Sequence, residues 1–215
     1  MSKDTVRKIV ALNSGGFDSV VMLHMIKEIH PFLEVTTLFF DYGQKSVELE
    51  RAKAKEVSSK LGYTFKELKL PPFDWTTSDF YNEGFKSSKD EYLEFRNLVF
   101  VSYGLSFSSG IGADTLFLAT LKSYGYFDTS PEFFKYLRGI AQSESVSIET
   151  PLSLTVKEDM GELIKHFNIK EDEFHTCDNP VDGKACGECP DCLALSYLFR
   201  KPLRLVKSNP IDEVE

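Results

Sequence analysis

An α/β fold built on a doubly wound parallel sheet is predicted by three features of this 215-residue sequence. Strand-like apolar runs alternate with helical stretches in the order strand, helix, strand, helix, strand, the signature of consecutive βαβ units. The first run is continuously apolar, as a strand must be when helices cover both faces of its sheet. A glycine-rich turn, Ser14-Gly15-Gly16-Phe17-Asp18-Ser19, follows that run directly, at the carboxyl end of a strand, where sheets of this kind hold ligands.

Taken in order, Lys8 to Asn13 reads as the first strand, and Val20 to Ile26 belongs to a helix ending near Pro31. His24 within that helix is read as a packing residue. Glu34 to Phe40 is β-branched and aromatic, a second strand, with Asp41-Tyr42-Gly43-Gln44 as the loop after it. Ser46 to Leu61 is a charged helix stopped at Gly62, and the Glu and Lys residues from Glu48 to Lys60 are read as a solvated face. Thr64 to Leu70 is a third strand before Pro71-Pro72. Phe73 to Asp90 has no period, and its aromatics Phe73, Trp75, Phe80 and Tyr81 suit a lid or a packing surface. Tyr92 to Ser109 reads as a mostly buried helix, and Thr115 to Thr120 as a fourth strand. Beyond a second loop, Ser130 and Pro131 form the cap and first residue of another helix. Ser147 to Thr150 is extended, and Thr155-Val156-Lys157-Glu158 has the form of a capping box for a helix reaching Phe167. A boundary near Ile169 divides an α/β domain, 1–168, from a cysteine-bearing segment, 169–215.

The Ser14–Ser19 turn has the makings of a phosphate cradle. Its glycines permit close approach of backbone to an anion, and the amides of the following helix start point at it. Ser14 and Ser19 supply hydroxyl donors, and Asp18 is placed to orient the loop or a magnesium ion. No Gly-Lys-Ser/Thr follows the glycines, which excludes a Walker loop. Arg96 at a helix start opposes the helix dipole, so binding of a phosphate or an acid is expected of it. Lys122, beyond a strand end, is a candidate anion contact, and Tyr42 and Tyr126 are candidates to stack on a base.

All four cysteines, Cys177, Cys186, Cys189 and Cys192, fall within sixteen residues in the spacing C-x8-C-x2-C-x2-C. Four sulfurs so spaced can close a tetrahedral zinc site, with an iron–sulfur cluster as the alternative. Four thiolates fill that shell, so His175 nearby is left out. A net charge of −8 argues against a grip on nucleic acid or anionic membrane. The polar start of the sequence and the absence of a long apolar run lead to the expectation of a cytoplasmic protein without a membrane span.

Loop and cysteines together resemble the QueC family of 7-cyano-7-deazaguanine synthases, within the ATP pyrophosphatase superfamily. The resemblance also runs through Asp41-Tyr42-Gly43-Gln44, Arg96-Asn97, Gly112-Ala113-Asp114, Gly125-Tyr126 with Asp128, Pro131-Glu132-Phe133, and Ile148-Glu149-Thr150-Pro151-Leu152. It implies an adenine-nucleotide hydrolase-like sheet and ATP-dependent conversion of 7-carboxy-7-deazaguanine and ammonia to the nitrile, by way of an adenylated acid and an amide. ATP would be held by Leu12, Asn13, Ser14, Gly15, Gly16, Phe17, Asp18, Ser19, Val20 and Val21, with Tyr42 and Gln44. Catalysis would rest on Asp18, Ser19, Arg96 and Lys122, with Mg2+ and Zn2+ as cofactors and a homodimer as the assembly.

Three positions depart from the family pattern. Lys122 stands for an acid, Ser130 for an arginine, and Phe95 for the glycine before Arg-Asn. Losing an arginine removes a bidentate carboxylate clamp, which a lysine replaces only as a point charge. The alternatives are a relative that stops at the amide or joins the acid to another amine or protein, a tRNA-modifying pyrophosphatase, and a non-catalytic nucleotide-binding partner.

Overall fold

The computed structural model describes residues 7–73, 93–121, 126–156 and 159–200. Five strands, β1 (Lys8–Leu12), β2 (Glu34–Asp41), β3 (Thr64–Lys69), β4 (Thr115–Phe117) and β5 (Ser147–Glu149), form one sheet in the order β3-β2-β1-β4-β5. Every pairing is parallel, from Lys8 opposite Glu34 on one side of β1 to Ile9 opposite Thr115 on the other. The order reverses direction between β1 and β4, so a crevice opens at the carboxyl end of β1.

Alternation along β1 sends Ile9 and Ala11 into one core and Val10 into the other. The first core is completed by α1 (Phe17–Ile29), α2 (Val47–Leu61), α5 (Met160–Phe167) and α6 (Pro190–Arg200), through residues such as Met22, Val57, Ile164 and Leu198. The second is completed by α3 (Arg96–Ile111) and α4 (Pro131–Ser143), through Val101, Phe134 and Leu137. The sheet is therefore doubly wound, as expected. Ile169 and Phe174, from the stretch leading into the cysteines, belong to the same core as α1.

A buried polar chain ties β1, β2 and α2 together just below the crevice. Asn13 donates from Nδ2 to the Ala54 carbonyl (3.0 Å) and to Ser58 Oγ (3.2 Å), and Ser58 meets Thr37 Oγ1 at 2.7 Å. Such a network is stable only because each of these groups is paired.

The expected elements recur within a residue or two, with three corrections. Strand β4 ends at Phe117 instead of Thr120, because the chain leaves the short edge it shares with β5. Helix α3 starts at Arg96, and of its side chains only Val101 and Ser108 are fully buried, since one face alone packs on β1 and β4. Helix α5 begins at Met160 with Asp159 before it, so Thr155 is not its cap, and Thr155 N–H closes a turn on the Leu152 carbonyl; Glu158 lies outside the described residues. The Ser130 cap is as expected, accepting from Phe133 N–H at 3.1 Å with Pro131 next to it. His24 is a packing residue, tilted on Phe167 and 3.9 Å from Glu173. Trp75, Phe80, Tyr81 and Lys122 lie outside the described residues.

Candidate active site

The crevice at the carboxyl ends of β1, β2 and β4 is an open cavity of about 310 Å³. Its floor is the Ser14–Ser19 loop. Gly15 adopts φ +72°, and a Cβ there would lie 2.2 Å from the Glu50 carbonyl oxygen and 2.8 Å from Ala54 N, inside the first turns of α2. Only glycine lets the loop and α2 approach this closely. Gly15 N–H donates to Asn13 Oδ1 (2.9 Å), Gly16 N–H to Ser14 Oγ (3.2 Å), and the Ser14 and Ser19 hydroxyls meet at 3.0 Å. The loop thus holds its own shape before any anion arrives.

Leu12, Asn13, Ser14, Gly16, Phe17, Asp18, Ser19, Tyr42, Gln44 and Arg96 all line this cavity. Gly15 lies beneath it, and the Val20 and Val21 side chains point into the core, with Val20 N–H bonded to the Gly16 carbonyl at 3.0 Å. The Asn13 amide nitrogen is committed to α2, so its part is to brace the loop. Tyr42 is 7% exposed, its ring 5.8 Å from Phe73 and 5.2 Å from Phe100, which leaves a packed ring where base stacking was considered. Gln44 accepts from Tyr42 N–H (3.0 Å) and donates to Glu50 (2.9 Å).

Glu50 was expected on a solvated face and instead lines the cavity, gripped by Gln44 and by the Ser46 hydroxyl. Burial raises its pKa above the ordinary carboxylate value, against the hydrogen bonds and the nearby Arg96. Arg51, on the same turn, pairs with Asp41 Oδ2 at 2.7 Å and Glu67 at 2.9 Å. Both follow from α2 packing its first turns against the two loops, which sequence periodicity alone does not reveal.

Arg96 reaches into the same space. Although burial disfavours its charge, Tyr42, Asp178 and Asp128 around it keep the guanidinium firmly protonated. Asp128 hangs from a short 3₁₀ turn, Phe127–Thr129, where Oδ2 accepts from Asn97 N–H at 3.3 Å and the Asp128 carbonyl accepts from Asn97 Nδ2 at 3.3 Å. Burial raises its pKa, with Asn97 and Arg96 opposing.

The remaining wall comes from the cysteine segment. His175, Thr176, Asp178, Asp191 and Leu195 line the cavity. His175 N–H donates to the Gly15 carbonyl at 2.9 Å, fastening the segment to the phosphate loop, and its ring Nε2 lies 3.0 Å from the Cys177 carbonyl. His175 is therefore a wall residue, a role its exclusion from the metal shell did not suggest. Its place two positions before Cys177 was the available signal.

The four sulfurs of Cys177, Cys186, Cys189 and Cys192 all lie within 4.8 Å of one another, with Cys186 and Cys192 at 4.0 Å. Bonds of ~2.3 Å to one tetrahedral ion hold sulfurs at such separations, whereas an iron–sulfur cube would stand between them and spread them further. Backbone N–H groups aim at the sulfurs, from Cys186 to Cys177 (3.2 Å), Cys189 to Cys186 (3.3 Å) and Cys192 to Cys189 (3.5 Å). These donors favour the thiolates that a metal needs. Cys177 and Cys189 are each 1% exposed, and no disulfide joins any of the four.

Comparison with known proteins shows the family of the chain. The family model described as queuosine biosynthesis protein QueC matches residues 8–201. The chain belongs to the QueC family. A 7-cyano-7-deazaguanine synthase of Leptospira interrogans is 31% identical over 213 residues, covering 90% of this chain and 87% of that protein. One from Rickettsia akari is 29% identical, covering 91% and 96%. Among solved structures, the U34-tRNA thiolase NcsA of Methanococcus maripaludis with its [4Fe-4S] cluster has a TM-score of 0.56 at 14% identity. This chain is covered to 86% in that match but spans only 63% of the thiolase. The NMN synthetase of Francisella tularensis has a TM-score of 0.51 at 14% identity, covering 93% of this chain and 80% of that one. At these identities the two structures speak for the fold alone. Among the described residues no helix is long and apolar enough to cross a membrane.

Two of the departures from the QueC pattern acquire a physical meaning. Phe95, which the resemblance sets in place of a glycine, has φ 60° and ψ 9°, a left-handed backbone that glycine adopts at less cost, and is 60% exposed. Ser130, standing for an arginine, spends its hydroxyl on capping α4.

Proposed function

We propose that this member of the QueC family converts 7-carboxy-7-deazaguanine and ammonia to 7-cyano-7-deazaguanine at the expense of ATP, in the cytosol and as a homodimer. The observation that carries the reading is the meeting of the self-braced Ser14–Ser19 loop and the cysteine segment around one cavity, in a chain whose relatives are named for that synthesis. The pyrophosphate portion of ATP lies on the loop, with Ser14, Gly16 and Ser19 as donors and Asp18 toward magnesium. The acid is turned into an adenylate, whose AMP is a good leaving group where a carboxylate oxygen is a poor one. Ammonia then gives the amide, and a second activation at the amide oxygen allows loss of water to the nitrile. Arg96, and Lys122 from outside the described residues, neutralise the phosphates and the acid. No protein nucleophile is needed; positioning and charge do the chemistry. The four cysteines take one zinc ion, which shapes the wall behind Thr176 and Asp178 and takes no part in the reaction. The 1–168 and 169–215 segments act as a single unit.

Incubation with 7-carboxy-7-deazaguanine, ATP, magnesium and ammonium, followed by mass spectrometry of base and nucleotide products, tests this. Nitrile together with AMP is expected, and absence of AMP formation overturns it. A second reading has one observation in its favour: with Ser130 occupied as a helix cap, the family's carboxylate clamp is missing. A relative that stops at the amide, or joins the acid to another amine, would show AMP and amide but no nitrile.

A further inference from the structure

One cavity group is left unexplained by the binding of ATP. Asp128 is 3% exposed, lines the cavity, and its Oδ1 has no hydrogen-bond partner among the described residues. An orphaned carboxylate oxygen in such a place is costly unless something else fills it. Thr120 Oγ1 beyond the end of β4 and Thr176 Oγ1 on the cysteine segment line the same cavity and also lack a hydrogen-bond partner among the described residues. The ionised Asp128 carboxylate only accepts, and the two hydroxyls can accept beside it, so a small donor-rich ligand satisfies all three whereas an anion would leave Asp128 opposed.

The proposed reaction has such a ligand. Ammonia enters as ammonium near neutral pH, a species with four donors and no lone pair, and cannot attack until a proton is removed. Resting on the function proposed above, we propose that Asp128 is the general base that receives ammonium and deprotonates it beside the adenylate. The Asp128 carboxylate takes one proton. The freed nitrogen lone pair forms the C–N bond to the activated carbonyl, the C–O bond to AMP breaks, and AMP leaves with that electron pair. The surplus N–H proton of the new amide passes to solvent. Burial, which raises the proton affinity of this carboxyl, makes it a stronger base than an exposed aspartate, while Arg96 keeps it from holding a proton permanently. The Asn97 amide fixes it by the grip on Oδ2 and leaves Oδ1 to work.

Three rates separate this role from a structural one. Acid-dependent exchange of pyrophosphate into ATP reports activation alone. Product from ammonium reports the base, and hydroxamate from hydroxylamine, which is largely unprotonated near neutral pH, bypasses it. In Asp128→Asn, exchange should stay within about twofold of the parent and ammonium-dependent product should fall about 100-fold or more, while hydroxamate falls less than about fivefold. Equal losses with both amines, loss of exchange, or unchanged use of ammonium would each overturn the role. Should Asp128→Asn fail to fold, as judged by its thermal transition, Asp128→Ser takes its place in the same comparison. Absence of exchange in the parent protein is the separate result that overturns the reading of the function.

Discussion

Replacing Gly15 with alanine tests whether the phosphate loop depends on its contact with α2. The added methyl would stand 2.2 Å from the Glu50 carbonyl oxygen and 2.8 Å from Ala54 N, against the helical hydrogen bond that joins those two groups. Both atoms are backbone, so no rotamer change relieves the clash. The left-handed φ of +72° adds about 1–2 kcal/mol for any residue with a Cβ. Forcing the loop from the helix adds about 1–3 kcal/mol, the usual range for overpacking. Gly62 is the control, because its φ of +75° carries the same conformational cost and nothing lies within 4 Å of its Cβ. In urea unfolding, Gly62→Ala should lose about 1–2 kcal/mol and Gly15→Ala about 1–3 kcal/mol more than that. Calorimetric titration with a non-hydrolysable ATP analogue should show at least about tenfold weaker binding for Gly15→Ala and no change for Gly62→Ala. Equal stability losses in the two variants, or full nucleotide affinity in Gly15→Ala, would refute the dependence of the loop on α2.

Four other outcomes are expected. Phe95→Gly, which relieves a left-handed aromatic residue that is mostly exposed, should raise stability by about 0.5–1 kcal/mol in urea unfolding once glycine's extra chain entropy is set against the strain. Asp18→Ala should abolish AMP formation with no shift of the thermal transition, because Asp18 lines the cavity and lies outside the core. Cys189→Ser should reduce bound metal, measured by plasma emission, to a trace, and should lower the thermal transition, since the energy of a metal held on four sulfurs is folding energy. Asp114 is partly desolvated, yet Arg7 at 2.8 Å and Thr115 hold its pKa below the usual value, so its contribution is present above the unfolded carboxylate pKa and lost as pH falls through the lowered one. The pair is half exposed, so Asp114→Asn should flatten the acid side of the stability–pH curve by less than about 1 kcal/mol.

The fold was largely legible because its strongest signals are local. A continuous run such as Ile9-Val10-Ala11-Leu12 suits only a strand covered on both faces, and Ser130-Pro131 carries its own capping chemistry. Failures came where long-range packing decides. Thr155 and Glu158 have the composition of a capping box, but the turn from Leu152 to Thr155 takes up the Thr155 N–H before a helix can use it. Glu50 lies among charges that look solvated, and only the approach of α2 to Gly15 turns it inward. No single-sequence period encodes that approach.

The site divides along the same line. Glycine spacing and cysteine spacing each announce a local chemistry, and each was readable alone. Their juxtaposition was not, because it depends on the chain returning from Phe174, packed edge-on against Phe17 at 5.4 Å, to lay His175 along the Gly15 carbonyl. That return places Thr176 and Asp178 on either side of Cys177, with both facing the cavity. Asp178 in turn faces Arg96, which also faces Glu50 and Asp128, so one guanidinium gathers acids from α2, from the 3₁₀ turn and from the cysteine segment. A cation surrounded in this way is held in place by the groups that match its charge, so it is oriented before a phosphate or an acid arrives. Arg96 was expected to bind a phosphate or an acid, and any such ligand must share it with those three carboxyl groups.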